Sequence, residues 1–283
     1  MSKPLGNRRV TGTEQFYTPL ALAEELVQFT AGIIPDFSSR KFLEPAGGSG
    51  SFISALQSVG ANEIESVDLY PKFPGVLRKN FLEYRPKESS VVTISNPPFG
   101  RNNALSIPFF NHAAEFSEYI AFLVPRSWRK WSVENRLNLS FHKVADKEVF
   151  VSYVDIEGKP FRKNNGLRTC FQIWKKEPFQ RAKTLVPDNA LIQKTTPRKA
   201  DVAIRVFGYG CGQILRTFPK VKNTTLMFLS VKNRRVLSAL SQLDYQRFSL
   251  NTAYTEALAL TEINFLLNEK IFGNGFHTER VGN

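Results

Sequence analysis

The sequence predicts an α/β domain with a mostly parallel sheet and an antiparallel edge hairpin, followed by a small α+β region. Short apolar runs alternate with segments of helical periodicity up to about residue 125, which is typical of βαβ units. Two further strand-like runs follow without a helix between them, which indicates an antiparallel hairpin. Beyond residue 177, prolines punctuate a polar stretch, so we predict domains over residues 1–177 and 178–283.

The individual elements follow from the apolar runs and the residues that interrupt them. Pro19 after Thr18 predicts a helix that Thr18 caps. The other predicted elements are strands over 41–44, 64–69, 91–95, 119–124, 149–156, 169–175, 201–207, 213–218 and 224–231, and helices over 51–59, 109–116, 236–243 and 256–271. Glycines at 208, 210 and 212 predict a turn between two of these strands.

The composition favours a polyanionic partner. The 283 residues are 42% hydrophobic, which is enough for a core, and carry a formal charge of +13. Nucleic acid is the commonest polyanion, while simple solubility is the alternative explanation. No apolar run approaches the roughly 20 residues that span a bilayer, and no basic amphipathic helix is visible, so no membrane partner is expected.

The cysteines and the first residues indicate the compartment. Cys170 and Cys211 have neither the spacing of a zinc site nor that of a disulfide framework, so we expect buried thiols and no metal. The chain opens with a polar, basic segment that lacks an apolar stretch, which argues against a secretory signal. We therefore expect a soluble, cytoplasmic protein, with the nucleoid or the nucleus as alternatives.

An Asn-Pro-Pro-Phe sequence follows the third strand. Two consecutive prolines cannot donate to a sheet ladder, so the strand ends at Asn96 and the chain turns outward. Open α/β sheets bind ligands at the carboxyl ends of their strands. The Asn96 side-chain oxygen and the Pro97 carbonyl can accept both hydrogens of an exocyclic amine, and Phe99 can stack on its ring. We therefore expect Asn96, Pro97, Pro98 and Phe99 to act on a nucleobase, with a rigid turn as the alternative.

A glycine-rich turn follows the first strand. Its glycines allow close approach of the backbone to a ligand at the start of a helix. Ile53 stands where a dinucleotide fingerprint needs its third glycine, and Glu44 would repel a pyrophosphate but suits an ammonium. Asp68 ends the second strand, where a carboxylate accepts ribose hydroxyls or simply forms a turn.

Taken together, these motifs resemble the amino-methyltransferase family, specifically S-adenosylmethionine-dependent adenine-N6 DNA methyltransferases. The resemblance covers about the first 175 residues and rests on three motifs in the family's order, which are Gln15-Phe16-Tyr17-Thr18-Pro19, Glu44-Pro45-Ala46-Gly47-Gly48-Ser49-Gly50 and Asn96-Pro97-Pro98-Phe99. It implies a Rossmann-like methyltransferase sheet, S-adenosyl-L-methionine as the cofactor and a target base flipped out of the duplex.

The resemblance also implies roles for individual residues. The residues that would face the methionine part of the cofactor are Tyr17, Thr18, Glu44, Ala46 and Gly48. Asp68 would hold the ribose. Asn80-Phe81 stands where the family often has Asp-Phe against the cofactor's adenine, and the asparagine keeps an acceptor oxygen but loses the charge.

Two basic segments are candidates for nucleic-acid contacts. In the family, the hairpin between the last two sheet strands often carries an aromatic residue for the extruded base. The candidates there are Phe161 for the base, with Arg162, Lys163 and Arg168 for phosphates. After the fourth strand, Trp128, Arg129 and Lys130 combine a ring with cations, a pattern that suits nucleic acid. A solvated loop and a core tryptophan are the respective alternatives.

Three functions remain open, of which methylation of adenine N6 in DNA is preferred. Some RNA adenine and guanine methyltransferases also carry Asn-Pro-Pro-Phe, although their cofactor turn more often begins with Asp. Glutamine methylases of release factors usually have Tyr where Phe99 stands, and N4-cytosine enzymes usually have Ser where Asn96 stands. The third function is a catalytically silent nucleic-acid-binding module, because a fold does not imply an activity.

Overall fold

The computed structural model describes residues 17–153 and 167–277, and its chain divides into two units, Met1–Lys183 and Thr184–Asn283. The helices and strands of the first unit are α1 (Leu20–Ala31), β1 (Phe42–Glu44), α2 (Ser51–Ser58), β2 (Ile64–Asp68), β3 (Leu77–Arg78), β4 (Val91–Ser95), α3 (Ser106–Ala113), β5 (Ser117–Pro125), α4 (Trp131–Glu134), β6 (Phe141–Phe150) and β7 (Arg168–Lys176). Within the described residues, no helix is long and apolar enough to cross a membrane.

The first unit is built on a seven-stranded sheet of order β3-β2-β1-β4-β5-β7-β6. Strands β1 to β5 pair in parallel, whereas β7 pairs antiparallel with both β5 and β6. Every residue of β1 and β4 is buried, as expected for parallel strands covered by helices on both faces. The predicted sheet, mostly parallel with an antiparallel edge hairpin, is therefore confirmed.

An aromatic cluster forms much of the core of this unit. Phe110 lies at its centre, with ring centroids 5.6 Å from Phe141 and Trp174 and 5.7 Å from Trp128. All four rings are essentially inaccessible to solvent. Edge-to-face packing of this kind adds about 0.5–1.5 kcal/mol per pair beyond burial of the area, and it ties α3 to the sheet.

The sequence misplaces one strand of the hairpin. Of the strand predicted over 149–156, only residues 149 and 150 lie in a strand, as the end of β6 (Phe141–Phe150), while residues 154–156 lie outside the described part of the chain. Apolar periodicity does not reveal this strand, because several of its residues are charged. The strand is stabilised by ladder hydrogen bonds and by ion pairs such as Lys143 with Glu134 and Arg129 with Asp146. Charged side chains on an edge strand also discourage pairing with other chains.

The predicted cap of the first helix is wrong by one residue. Pro19, in an extended conformation, occupies the N-cap position, and its carbonyl accepts the first helical hydrogen bond, from the Ala23 amide at 3.0 Å. Thr18 therefore precedes the cap, and its side chain makes no capping bond.

The second unit contains a separate four-stranded antiparallel sheet and helices. Its elements are β8 (Ile192–Lys194), β9 (Val202–Arg205), β10 (Ile214–Leu215), β11 (Leu226–Val231), α5 (Arg234–Leu240), α6 (Gln246–Ser249) and α7 (Leu260–Phe272). The sheet has the order β10-β9-β11-β8, and the glycine-rich turn connects β9 to β10. The predicted small α+β region is confirmed.

Candidate active site

Three polar side chains converge at the carboxyl edge of the parallel strands. Glu44 ends β1, Asp68 ends β2 and Ser95 ends β4, with Asn96 directly after it. Because β1 lies between β2 and β4, these positions are neighbours in space. The sheet thus brings the glycine-rich turn and the Asn-Pro-Pro-Phe sequence to one edge.

Glu44 is a buried carboxyl group held by two donors. Its side chain is 1% exposed, and Oε1 accepts hydrogen bonds from the Ala46 amide at 2.9 Å and from Ser95 Oγ at 2.5 Å. Burial raises the Glu44 pKa to about 8, although the two hydrogen bonds oppose this shift. In the described part of the chain no cation forms an ion pair with Glu44. Such a carboxyl group gains from a positively charged ligand.

The glycine-rich turn is fixed against both neighbouring strands. The Gly47 amide donates to the Val67 carbonyl at 3.1 Å, and the Gly48 amide donates to Asp68 Oδ2 at 2.9 Å. Gly48 has a φ of +46°, and a Cβ atom there would lie 3.1 Å from the Tyr17 ring. A side chain at this position would therefore strain the backbone and crowd Tyr17.

Asp68 organises the segment that covers this turn. Its Oδ1 accepts from the Tyr70 amide at 2.7 Å, so each carboxylate oxygen already holds one backbone donor. A carboxylate has about four acceptor sites in all, which leaves capacity for the hydroxyls of a ligand. Burial raises the pKa of Tyr17, and the nearby charge of Asp68 adds to this effect.

Thr18, which follows Tyr17 in the chain, carries a buried hydroxyl. The residue is 5% exposed, and its Oγ1 atom has no hydrogen-bond partner among the described residues. A buried polar atom without a partner is costly in a folded protein, and it is commonly satisfied by a ligand or a water molecule.

The Asn-Pro-Pro-Phe sequence forms a constrained loop. Pro97 is buried, whereas Asn96, Pro98 and Phe99 are half-buried, and the Asn96 Oδ1 atom itself is inaccessible. Gly100 has a φ of +66°, and a Cβ atom there would lie 2.8 Å from the Leu105 backbone nitrogen. The Phe99 carbonyl accepts from the amides of Leu105 and the residue after it, so the loop is closed immediately beyond Phe99.

Asn80 and Phe81 lie just beyond β3, and their side chains interact mainly with other residues of the protein. Asn80 Oδ1 accepts from the Leu82 amide at 3.2 Å, and its Nδ2 donates to Glu83 at 2.8 Å. Phe81 is 2% exposed and packs against Phe109, with ring centroids 5.0 Å apart. The Phe81 ring is therefore part of the core, and its contact with a cofactor stays a prediction.

The segment after β5 also differs from the prediction. Trp128 is completely buried and donates from Nε1 to Ser106 Oγ at 3.3 Å, so it belongs to the core and cannot stack on nucleic acid. Arg129 donates to Asp146 at 2.6 and 2.9 Å. Burial alone would lower the Arg129 pKa, but Asp146 raises it overall, so the Arg129 charge is largely neutralised. Lys130 is half-buried.

The hairpin candidates are only partly described. Phe161, Arg162 and Lys163 lie outside the described residues, whereas Arg168 begins β7 and is half-buried. Arg168 pairs across the sheet with Phe150, which is 82% exposed. Because β7 runs antiparallel to β5, this pair lies at the same sheet edge as Asn96.

Sequence reasoning missed two residues at this edge. The sequence predicts Ser95 only as the end of a strand, whereas in the structure its hydroxyl donates to Glu44. The sequence shows that two predicted strands end in a polar residue, but it does not show that these strands are neighbours in the sheet. The sequence predicts Phe150 near the start of a strand over 149–156, which does not indicate its exposure at the end of β6.

No protein-family model and no curated protein matches the chain. Similar solved structures include a proposed RNA methyltransferase from Pyrococcus horikoshii, 20% identical, covering 62% of this chain and 92% of that one with a TM-score of 0.48. A proposed class I S-adenosylmethionine-dependent methyltransferase from Listeria monocytogenes is 14% identical, with coverages of 64% and 66% and a TM-score of 0.45. The modification subunit of a proposed type I restriction enzyme from Vibrio vulnificus is 16% identical, with coverages of 59% and 46% and a TM-score of 0.40. These identities and TM-scores are low, so the architecture of this chain is described from its own strand order and not from these structures.

Proposed function

We propose that the chain is an S-adenosylmethionine-dependent methyltransferase acting on the N6 amine of adenine in nucleic acid, with DNA preferred over RNA. The observation that carries this proposal is the 2.5 Å hydrogen bond between Ser95 Oγ and Glu44 Oε1. It joins the turn proposed to hold the cofactor to the loop proposed to hold the base, at adjacent strand ends.

The residues at the edge fit the cofactor. Among the described residues no cation pairs with the buried Glu44 carboxyl, which would pair with the ammonium of the methionine moiety. The buried Thr18 hydroxyl, which has no hydrogen-bond partner in the same part of the chain, would be a further polar group for this moiety. Gly48 and Tyr17 would bound the same moiety, and Asp68 would accept ribose hydroxyls. When bound, S-adenosylmethionine supplies an electrophilic methyl group, which the adenine nitrogen takes as the carbon–sulfur bond breaks and the nitrogen loses one proton.

Asn96 and Pro97 would prepare the amine for this reaction. The lone pair of an adenine N6 amine is delocalised into the ring, so the amine is a weak nucleophile. The Asn96 Oδ1 atom is inaccessible in the structure, so this side chain must rotate towards the base before its oxygen can accept one of the two hydrogens. Acceptance of the other hydrogen by the Pro97 carbonyl then favours a localised lone pair, while Phe99 stacks on the ring. The contribution of these residues is orientation and preorganised acceptors.

The exposed part of the edge supports a nucleic-acid substrate. Phe150 is 82% exposed beside Arg168, at the edge that also holds the Asn-Pro-Pro-Phe loop. An exposed ring next to a cation is the arrangement that packs on an unstacked base and its phosphate. The net charge of +13 supports the same kind of partner.

The discriminating experiment combines one substitution with three substrates. The protein is incubated with labelled cofactor and matched duplex DNA, single-stranded DNA or structured RNA, followed by mass spectrometry of the nucleosides. We expect N6-methyl-2′-deoxyadenosine from DNA, and an Asn96→Ala variant that transfers methyl groups at least about a hundredfold more slowly with unchanged cofactor affinity.

Each other outcome selects a different function. Methylation of RNA alone would favour the RNA enzyme. Absence of cofactor binding by calorimetry would favour the silent module. Full turnover by Asn96→Ala would remove Asn96 from the mechanism.

A further inference from the structure

The turn between β9 and β10 displays an aromatic side chain in solvent. Tyr209 is 99% exposed, the highest value among the large hydrophobic side chains of the described residues, and Phe207, two residues earlier, is 50% exposed. Neither ring contributes to the core of the second unit. Full exposure of such a ring gains nothing for folding.

The backbone that carries Tyr209 is held firmly. The Gly208 amide donates to the Glu256 carbonyl at 3.0 Å, and the Gly212 amide donates to the Arg205 carbonyl at 2.7 Å. Gly212 has a φ of +97°, and a Cβ atom there would lie 2.6 Å from Tyr245 Cβ, so the turn packs closely on that residue. A ring on such a turn loses little backbone entropy when it meets a partner.

All charged residues in the sequence around this turn are basic. Residues 202–243 contain no Asp or Glu, and their cations are Arg205, Arg216, Lys220, Lys222, Lys232, Arg234 and Arg235. Arg216, Lys220 and Lys222 are exposed and follow β10 directly. Arg205 lies at the turn itself, beside Gly210, and Glu256 contacts the turn through its carbonyl. The accessible ring is therefore carried by a segment that is basic overall, with Glu256 as a neighbouring acidic residue.

We propose that this turn is a stacking platform for an unpaired base of a nucleic-acid strand, with Tyr209 against the base and the cations after β10 against phosphates further along the nucleic-acid strand. The face of a base is accessible to such a ring only where the base lacks a stacked neighbour, so single strands are the expected ligand. The inference rests on the proposed function only in that both need a nucleic-acid partner.

The test measures binding of the full chain to single strands of DNA and of RNA that carry 2-aminopurine, whose fluorescence is quenched by stacking. Tyr209→Ala should weaken binding roughly 5- to 100-fold and abolish the added quenching. Tyr209→Phe, which keeps the ring, should retain both. Phe179→Ala removes another ring, 62% exposed and in the first unit, and serves as the matched control.

The salt dependence of single-strand affinity distinguishes the contribution of the Tyr209 ring from that of the cations. Arg216→Gln should reduce the salt slope of single-strand affinity by about 0.7, whereas Tyr209→Ala should leave the slope unchanged. Wild-type affinity and quenching in Tyr209→Ala would overturn the proposal. Because the Tyr209 side chain makes almost no contacts, loss of folding is not expected to obscure the result.

Methylation measured on the same strands separates this inference from the proposed function. Weakened binding by Tyr209→Ala, with no methylation by the wild-type chain, would leave the platform standing and refute the enzyme. Normal methylation together with unchanged binding by Tyr209→Ala would refute the platform alone. The DNA and RNA strands show which of the two polymers supplies the base.

Discussion

The protonation state of Glu44 should control cofactor affinity. The Glu44 pKa of about 8 leaves about one carboxyl group in a hundred ionised at pH 6 and about one in eleven at pH 7 in the free protein. If the ionised form binds the ammonium of S-adenosylmethionine, affinity should rise roughly ninefold between these pH values. The α-amino group itself, with a pKa of about 7.7–8.0, begins to lose its proton and reduces the rise to roughly eightfold.

Calorimetry at several pH values, in buffers with different ionisation enthalpies, measures both the affinity and the protons released. We expect about 0.8 proton to be released on binding at pH 7, and an affinity maximum near pH 8. Glu44→Gln keeps an acceptor oxygen for Ala46 and Ser95 but cannot ionise, so its affinity should be lower and independent of pH between 6 and 7.

A matched control is Glu118→Gln, which removes a carboxylate paired with Arg40 at the opposite edge of the sheet. This variant should retain the wild-type pH profile. An affinity that does not change between pH 6 and 7, with no proton release by the wild type, would refute the role assigned to Glu44.

Two further substitutions test the neighbouring residues. Ser95→Ala removes a hydrogen bond that lowers the Glu44 pKa, so the rise of cofactor affinity with pH should shift to higher pH. The free energy of unfolding of this variant should fall by about 1–3 kcal/mol. The control, Ser117→Ala, removes another buried strand hydroxyl and should leave the pH profile unchanged. Phe81→Ala should lower the free energy of unfolding by about 3–5 kcal/mol in urea titrations, because the Phe81 ring is in the core. The cofactor affinity of the molecules that remain folded should not change. A loss of cofactor affinity without a loss of stability would instead show that the ring contacts the cofactor.

The convergence of Glu44, Asp68 and Asn96 could be predicted from the sequence. Each follows an apolar run in a βαβ pattern, and the carboxyl ends of parallel strands meet at one edge whatever the helices between them contain. The short linkage through Ser95 could not be predicted, because it depends on which strands are neighbours. The order with β1 next to β4 is a property of the folded sheet.

The prediction that Arg129 contacts phosphate fails because of the position of β6. Arg129 appeared to be available for phosphate because its partner, Asp146, lies on a charged edge strand that apolar periodicity does not reveal. Once β6 is placed over Phe141–Phe150, the Arg129 charge is neutralised within the protein. Trp128 illustrates a related limit, since a ring flanked by cations in the sequence can still point into the core.

Glu44 also couples the proposed cofactor site to folding. A carboxyl group whose pKa is raised in the folded state binds its proton more tightly there than in the unfolded chain, so its contribution to stability declines as pH rises from about 4.5 to about 8. The decline is about 1.4 kcal/mol per pH unit for one group. A cation at Glu44 would oppose this loss, because pairing stabilises the ionised form. The ionisation of Glu44, which lowers stability on its own, therefore becomes favourable when a positively charged ligand is bound.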